Sequence, residues 1–368
     1  MHKYLLLTIA SAGALAFTFS VAPCAAANLR AIAFVNTSTG WAAGDGTIVA
    51  TTDGGRTWHS QYTGRVQFTS LSFTPGGSGW AAGVDPIRGN GILMGTNDGG
   101  RNWKKLPEPR NSLRTISFSE PSFGLGVAGG SPMAPSEATE RSTPFFGGRL
   151  AVASNQGYTW RLEDQPLLID SACSAGAYAS FVAYQAAVLV SKNFGTDWQH
   201  AYSAPVDTHI TWYATVRCNG GSVWVLFATG ARGMQQRSYL LVRGDQTGNN
   251  WNPVLQNKRT PDAYPQVNVA DGPAEAPGDY SVPDANTAFV LGICLPCQDA
   301  GAVTIISTTD AGAHWTSVST ILGITAASPP AISFVDSSHG WVAGVNGSKG
   351  VVLATGDGGR SWKQVYSK

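Results

Sequence analysis

The sequence predicts an all-β fold, a seven-bladed β-propeller built from four-stranded antiparallel blades. Two repeats that run in phase along the 368 residues carry this prediction. The first is a turn of the form Ser/Thr-x-Asp-x-Gly-x-x-Trp, and the second is a Gly-Trp-x-Ala-Gly segment that follows an apolar residue by six positions. Repeats of roughly 40 to 50 residues are typical of propeller blades, which bury their short strands by stacking around an axis.

The first repeat, which we call the box turn, occurs seven times, and four copies are intact. Their tryptophans lie 45, 57, 38, 53, 64 and 47 residues apart. Glycine accepts positive φ and aspartate accepts hydrogen bonds from turn amides, so we expect a structural role. One carboxylate per turn is too few for a calcium loop, and no metal is expected. The structural box residues are Asp53, Asp98, Asp310 and Asp357, with Asn193 in a degenerate copy, and Trp58, Trp103, Trp160, Trp198, Trp251, Trp315 and Trp362.

The second repeat defines the strands of each unit. Phe34, Phe73 and Phe334 each precede a Gly-Trp-x-Ala-Gly segment by six positions. Each unit therefore reads as an inner strand ending near the phenylalanine, the tryptophan strand, a third strand, and an outer strand that starts at the box tryptophan. The first unit begins with an inner strand and the last ends with an outer one. We therefore expect side-chain packing, and no shared strand, to close the ring.

The N-terminus predicts a targeting segment. Lys3 precedes an apolar run from Tyr4 to Val21, and Ala25 to Ala27 offer a small-residue cleavage site. The expected domains are a signal peptide over residues 1–27 and a single propeller over residues 28–368. The alternatives are a retained membrane anchor and a lipoprotein at Cys24, which Pro23 disfavours. The expected location is the periplasm or the extracellular space, after removal of the signal peptide.

The net charge argues against a nucleic-acid partner, and the cysteines predict disulfides. Loss of residues 1–27 removes Lys3 from 24 basic residues and none of the 23 acidic ones, which leaves no net charge and no expected nucleic-acid partner. Cys173 and Cys218 stand at equivalent points of neighbouring blades and are expected to form a disulfide. Cys294 and Cys297 have the spacing of a redox motif, but they do not stand at the start of a helix as such a motif does. We interpret them as a disulfide within a loop or as two ordinary thiols.

Function is expected in the insertions that interrupt the repeats, among them residues 130–147 and 256–280. In a propeller the connections between second and third strands and those between blades emerge on one face, where loops on a rigid scaffold commonly bind. Arginines there could clamp a carboxylate, a phosphate or an acidic peptide. The alternative is a mixed, solvated surface, because the same loops carry acidic residues. The candidate binding residues are Arg88, Arg114, Arg141, Arg237 and Arg259.

The box turns resemble the Asp-box, or bacterial neuraminidase repeat. With the Gly40 to Gly44 and Gly340 to Gly344 segments, the chain from Arg30 to Lys368 resembles the photosystem II stability and assembly factor family. That resemblance implies a seven-bladed propeller that binds newly made reaction-centre subunits and does no chemistry. It implies a protein partner here, such as a membrane-protein subunit, with no catalytic residue and no cofactor. We expect a monomer.

The alternative function is a glycoside hydrolase, sialidase-like, or a glycan-binding protein, since such enzymes also carry Asp-boxes. The chain has Pro86-Ile87-Arg88 where sialidases have Arg-Ile-Pro, and no evident Tyr-Glu pair. A glycosidase needs two carboxyl groups roughly 5 to 10 Å apart. Asp85, Asp262 and Asp279 are the candidates that could meet across the channel. This hypothesis rests on analogy of fold and not on a recognisable site.

Overall fold

The computed structural model describes most of the chain after the predicted signal peptide. The described residues are 28–109, 112–129, 147–163, 168–175, 180–205, 212–219, 221–229, 237–258, 267–294, 303–325 and 328–368. The predicted signal peptide, residues 1–27, lies outside them. Within these ranges no helix has the length and apolar character needed to cross a membrane.

The described strands form six hydrogen-bonded sheets, each made from one continuous stretch of chain. The first has six strands: β1 (Leu29–Phe34), β2 (Gly40–Thr51), β3 (His59–Phe73), β4 (Gly79–Val84), β5 (Gly91–Thr96) and β6 (Lys104–Leu106). The second has β7 (Leu113–Glu120), β8 (Phe123–Ala128), β9 (Arg149–Ser154) and β10 (Thr159–Leu162). The third has β11 (Ser171–Ser174), β12 (Ser180–Tyr184), β13 (Ala187–Ser191) and β14 (Gln199–Ser203).

The remaining three sheets follow the same order. The fourth has β15 (Trp212–Cys218), β16 (Ser222–Thr229), β17 (Tyr239–Asp245), β18 (Asn252–Gln256) and a short parallel strand, β19 (Ala270–Asp271). The fifth has β20 (Ala276–Ser281), β21 (Ala288–Ile293), β22 (Val303–Thr308) and β23 (Thr316–Thr320). The sixth has β24 (Ala331–Phe334), β25 (Gly340–Asn346), β26 (Lys349–Thr355) and β27 (Lys363–Ser367). The predicted all-β propeller with four-stranded antiparallel blades is confirmed.

The predicted number of seven blades is wrong, because the described strands form six blades when each sheet is counted once. The first two sequence units share a sheet through β3, which pairs with β2 and then with β4. Gln67 lies in both pairings, opposite Asp45 and opposite Val84. After β6 the chain meets Pro107 and Pro109, which cannot donate to a strand ladder and end the sheet. β3 contains no proline and stays extended.

Aromatic side chains join neighbouring units. Trp41 of β2 stacks on Phe73 of the next unit with ring centroids 3.6 Å apart, and Phe73 meets the box tryptophan Trp103 edge-on at 5.9 Å. The Trp41 indole Nε1 donates to the carbonyl of Gly99 in the next box turn at 3.0 Å. A tryptophan strand thus holds both the inner strand and the box turn of the following unit.

The ring closes through the same contacts. Trp341 of the last sheet stacks on Phe34 of the first at 3.6 Å, and its Nε1 donates to the Gly54 carbonyl at 3.1 Å. The Phe34 backbone N–H donates to Ser333 Oγ at 3.1 Å. Among the described strands no sheet combines the two ends of the chain. Side-chain packing between the first and last sheets, as predicted, thus joins the two ends of the described ring.

Two disulfide positions lie in the propeller. A disulfide joins Cys173 of β11 to Cys218 of β15, with Cα atoms 6.0 Å apart. It ties the inner strands of the third and fourth sheets together. Cys294, at the end of β21, is also disulfide-bonded. Cys297, its partner in the interpretation as a loop disulfide, lies outside the described residues.

Candidate functional site

Connections between second and third strands meet the connections between units on one side of the ring, which we call the loop face. Gly148 and Ile169 exchange backbone hydrogen bonds of 2.7 and 2.8 Å. The Thr325 N–H donates to the Val345 carbonyl at 2.7 Å, and the Arg237 N–H donates to the Glu275 carbonyl at 2.9 Å. The predicted clustering of irregular sequence is present wherever both kinds of connection are described.

Box turns lie on the opposite side, the box face, against the first hairpin of their own unit. Asp53 shows the geometry: its Oδ1 accepts from the Thr51 hydroxyl at 2.8 Å and from the Thr57 N–H at 2.9 Å. Its Oδ2 accepts from the Thr57 hydroxyl at 2.6 Å, and the Gly54 N–H donates to the Ser38 carbonyl at 2.8 Å. The carboxylate is occupied within its own turn.

The other intact boxes repeat this arrangement. The pKa of each of the other three box aspartates is lowered to about 2, chiefly by hydrogen bonds from the residue four positions later. The pairs are Asp98 with Asn102, Asp310 with His314, and Asp357 with Ser361. Hydrogen bonds from Thr57 hold the pKa of Asp53 well below its usual range. In a degenerate box Asn193 accepts the equivalent turn hydrogen bond, from the Asp197 N–H to its Oδ1 at 2.9 Å. The geometry supports a structural role for the boxes.

Three of the five predicted binding arginines lie in the described part of the chain, and their environments differ. Arg88 is exposed on the loop between β4 and β5, whereas Arg237 is only 1% exposed and donates to the Tyr213 hydroxyl at 3.3 Å. Arg114 donates through Nη2 to the Asp170 carbonyl at 2.7 Å. Arg114 and Arg237 therefore stabilise the protein's own loops. Arg141 and Arg259 lie outside the described residues.

Two further arginines of the loop face were not predicted. Arg30 Nε donates to Asp45 Oδ1 at 3.1 Å, and Arg65 Nε pairs with Asp85 Oδ2 at 3.2 Å. Arg30 and Arg114 both stand four residues before the repeated phenylalanine, so alignment of the units could have placed them together. Pairing with carboxylates makes this part of the face a mixed surface, as the alternative interpretation expected.

Partly buried charges line the inner strands. Arg217 of β15 donates to Asp279 Oδ1 of β20 at 2.9 Å and lies over the Tyr280 ring at 5.5 Å. Asp279 Oδ2 accepts from the Ile332 N–H of the next sheet at 3.2 Å. Of the three carboxylates considered for a glycosidase, Asp279 and Asp85 are thus held by arginines, and Asp262 lies outside the described residues.

Two carboxyl groups precede inner strands and have raised pKa values. Burial raises the pKa of Glu108 to about 7, against the opposing effects of the Leu113 N–H and Lys105. Burial likewise raises the pKa of Asp170 to about 6, although its Oδ2 accepts from the Gln185 N–H at 2.9 Å and the Ala214 N–H at 3.1 Å. Burial therefore opposes the charged form of both carboxyl groups.

Large apolar side chains project from the loop face at three places. Ile87 is 76% exposed, Leu168 is 42% exposed and Leu322 is 67% exposed. The loop that carries Ile87 is fixed by a hydrogen bond from the Ile87 backbone N–H to Asp85 Oδ1 at 3.0 Å. Buried isoleucines adjoin the other two, Ile169 beside Leu168 and Ile321 beside Leu322. These three apolar side chains point outward from backbone that is fixed by neighbouring contacts. The sequence did not predict their exposure.

No metal site accompanies this surface: across the described ranges no group of three or more His, Cys, Asp or Glu residues is arranged to hold an ion. The fold and the two faces define a β-propeller with a structural box face and a loop face that offers apolar and charged groups.

Residues 20–112 match the family described as photosynthesis system II assembly factor YCF48. The predicted resemblance to the photosystem II assembly factor-like propellers is confirmed by this match and by similar structures. YCF48 bound to a D1 peptide has 17% sequence identity and a TM-score of 0.56, over 90% of this chain and 94% of that chain. YCF48 from Cyanidioschyzon merolae has 15% identity and a TM-score of 0.52, over 92% and 97%.

Glycosidase propellers are also similar in fold. The GH74 enzyme of Niastella koreensis has 13% identity and a TM-score of 0.63, over 93% of this chain and only 55% of that chain. No curated protein matches the chain by sequence. At these sequence identities the solved structures establish the fold alone. The ligand of this chain has to be inferred from the residues on its two faces.

Proposed function

We propose that this chain is an exported propeller without a catalytic centre that binds a protein partner through its loop face. The observation that carries the proposal is the outward display of Ile87, Leu168 and Leu322 on anchored segments of one face. The three side chains lie at separate connections of that face, so a partner that covers all three would bury apolar surface across the face. A segment of a membrane-protein subunit is the partner that we infer from the YCF48–D1 peptide complex.

The charges of the loop face support a peptide partner. Arg88 is exposed beside Ile87 and supplies a cation next to an apolar contact. Arg30 and Arg65 keep part of their side chains accessible, 36% and 57%, while they are paired to aspartates. Such paired cations give orientation and specificity more than affinity. Burial of the three apolar side chains would supply the binding energy.

The test is capture from an envelope extract with immobilised residues 28–368. The first variant combines Ile87→Ser, Leu168→Ser and Leu322→Ser, which remove apolar surface without touching the buried isoleucines. The matched control is Phe194→Gly on the box face, where Phe194 is 43% exposed and has a φ of 57° that glycine accepts readily.

We expect a membrane protein that the unaltered chain and the Phe194→Gly control capture, and that the triple variant loses. Capture that survives the triple substitution would overturn the assignment of the loop face. Enrichment of polysaccharide in place of any protein would overturn the protein-partner proposal and favour the glycan-directed alternative. Circular dichroism and thermal unfolding of each variant confirm that the propeller is intact.

A further inference from the structure

A concave site lies on the box face, between the box turns of the second and third sequence units. Its buried base is Trp80 and Leu106, and exposed Asn97, Lys104 and Tyr158 stand around it. Gln156 completes the rim, and its carbonyl accepts from the Trp80 indole Nε1 at 2.9 Å. The rim is therefore fixed to the floor of the site. This site is separate from the loop face and independent of its proposed function.

The turn that carries Gln156 is strained. Three successive residues have positive φ: Asn155 at 50°, Gln156 at 57° and Gly157 at 79°. The position of Gln156 is occupied by Gly54 and Gly99 in the first two boxes, and by Phe194 and Ala311, also at positive φ, in two later ones. Non-glycine residues in this region cost free energy and persist where the surroundings hold them, often at functional sites. This chain thus places an amide side chain at a position that favours glycine.

The rim carries polar groups that the fold does not use. In the described part of the chain, the side chains of Asn97, Lys104, Gln156 and Tyr158 show no hydrogen bond or ion pair. Asn102 donates through Nδ2 to Asp98 Oδ2 at 2.7 Å, which leaves its Oδ1 as an acceptor. Amides that both donate and accept match hydroxyl groups, and an exposed aromatic ring offers a flat apolar face.

We propose that this site binds a pyranose unit of a carbohydrate chain. The ring of Tyr158, which is 46% exposed, would cover the apolar face of the sugar, and the amides of Asn97 and Gln156 would bond its hydroxyl groups. A phosphate or another small anion fits less well, because Lys104 is the one cation that lines the site. The same chemistry serves an envelope polysaccharide and a free oligosaccharide.

The test is saturation-transfer NMR of residues 28–368 with cellohexaose, chitohexaose and maltohexaose. We expect transfer to at least one of them and a dissociation constant that rises at least about tenfold in Gln156→Gly and in Tyr158→Ala. Gln156→Gly removes backbone strain, so it is expected to fold at least as stably as the unaltered chain. Loss of binding in that variant therefore reports on the amide and not on unfolding.

The control is Ala311→Gly, the same box position in the fifth sheet, where Ala311 has a φ of 63°. It is expected to bind the oligosaccharide unchanged. Absence of transfer to all three oligosaccharides, or binding that Gln156→Gly and Tyr158→Ala leave unaltered, would overturn the proposal. Envelope polysaccharide competing for the site would identify it as the source, and failure to compete would point to free oligosaccharides. Protein capture by the loop face is expected to continue in Gln156→Gly, so the two proposals fail separately.

Discussion

At the scale of the residue, the box aspartates work as hydrogen-bond acceptors. Asp98 illustrates this: its two oxygens accept from the Thr96 hydroxyl at 2.7 Å, the Asn102 N–H at 3.0 Å and the Asn102 amide at 2.7 Å. These bonds favour the charged form, which explains why its pKa is lowered to about 2. Asn193 shows that an asparagine can hold the same turn with one accepting oxygen.

The first prediction follows from this lowered pKa. Because the folded pKa of Asp98 lies below the unfolded value of about 3.9, its charged form stabilises the fold fully above about pH 4. That contribution is lost as the pH falls toward 2. We expect Asp98→Asn to unfold at a lower temperature than the unaltered chain at pH 6, and by a smaller margin at pH 2.5, where the folded carboxylate begins to be protonated. Thermal unfolding across this range measures it, and a difference that does not change with pH would contradict it.

Glu108 is predicted to behave in the opposite sense. Its folded pKa of about 7 lies above the unfolded value, so stability falls as the pH rises from about 4 to 7. Glu108→Gln keeps the shape and removes the buried charge. We expect it to be more stable than the unaltered chain by about 1 to 3 kcal/mol at pH 8, and equal to it at pH 4. Urea unfolding at both pH values measures the difference, and a destabilised variant at pH 8 would contradict it.

At the scale of the element, the inner strands of neighbouring sheets are joined by hydrogen bonds to side chains. In the described part of the chain they do not form a backbone hydrogen-bond ladder with one another. Ser72 Oγ accepts from the Phe118 N–H at 2.9 Å, and Ser281 Oγ accepts from the Phe334 N–H at 2.9 Å. Asp279 supplies the same kind of bond to Ile332. The third and fourth sheets add a covalent link between β11 and β15.

We therefore predict that this disulfide stabilises the propeller. Cys173 and Cys218 are 45 residues apart, and the entropy of closing a loop of that size gives an upper value of about 4 kcal/mol. The double variant Cys173→Ala with Cys218→Ala should lower the free energy of unfolding by up to that amount and retain its capture of a partner. Denaturant unfolding under non-reducing conditions measures it. Unchanged stability, or loss of capture from a folded variant, would contradict this purely structural role.

Strand order was readable from the sequence because each unit carries its own turn signals. Equivalent placement of Cys173 and Cys218 in neighbouring units also pointed to the pair that the structure joins. The number of blades was not readable, because it depends on whether the chain between two units stays extended. Here Pro107 and Pro109 interrupt one such connection, and β3 runs without proline through the other.

At the scale of the whole molecule, the ring divides the chain between two faces. One face holds the box turns, which the sequence identified by composition. Sequence alone could not find the exposed apolar groups of the other face, because Leu168 and Leu322 each adjoin a buried isoleucine that belongs to the same apolar run. Nor could it foresee that Arg237 is buried against Tyr213, since that contact depends on the path of the insertion.

The central claim is that a protein partner binds the loop face. Site-specific photocrosslinking in intact cells tests it most directly, with benzoylphenylalanine in place of Ile87 on the loop face or Phe194 on the box face. Both side chains are exposed, at 76% and 43%, so a probe at either position reaches the solvent. We predict a discrete protein adduct from position 87 and none from position 194. An adduct from position 194 alone, or from neither position, would contradict the account.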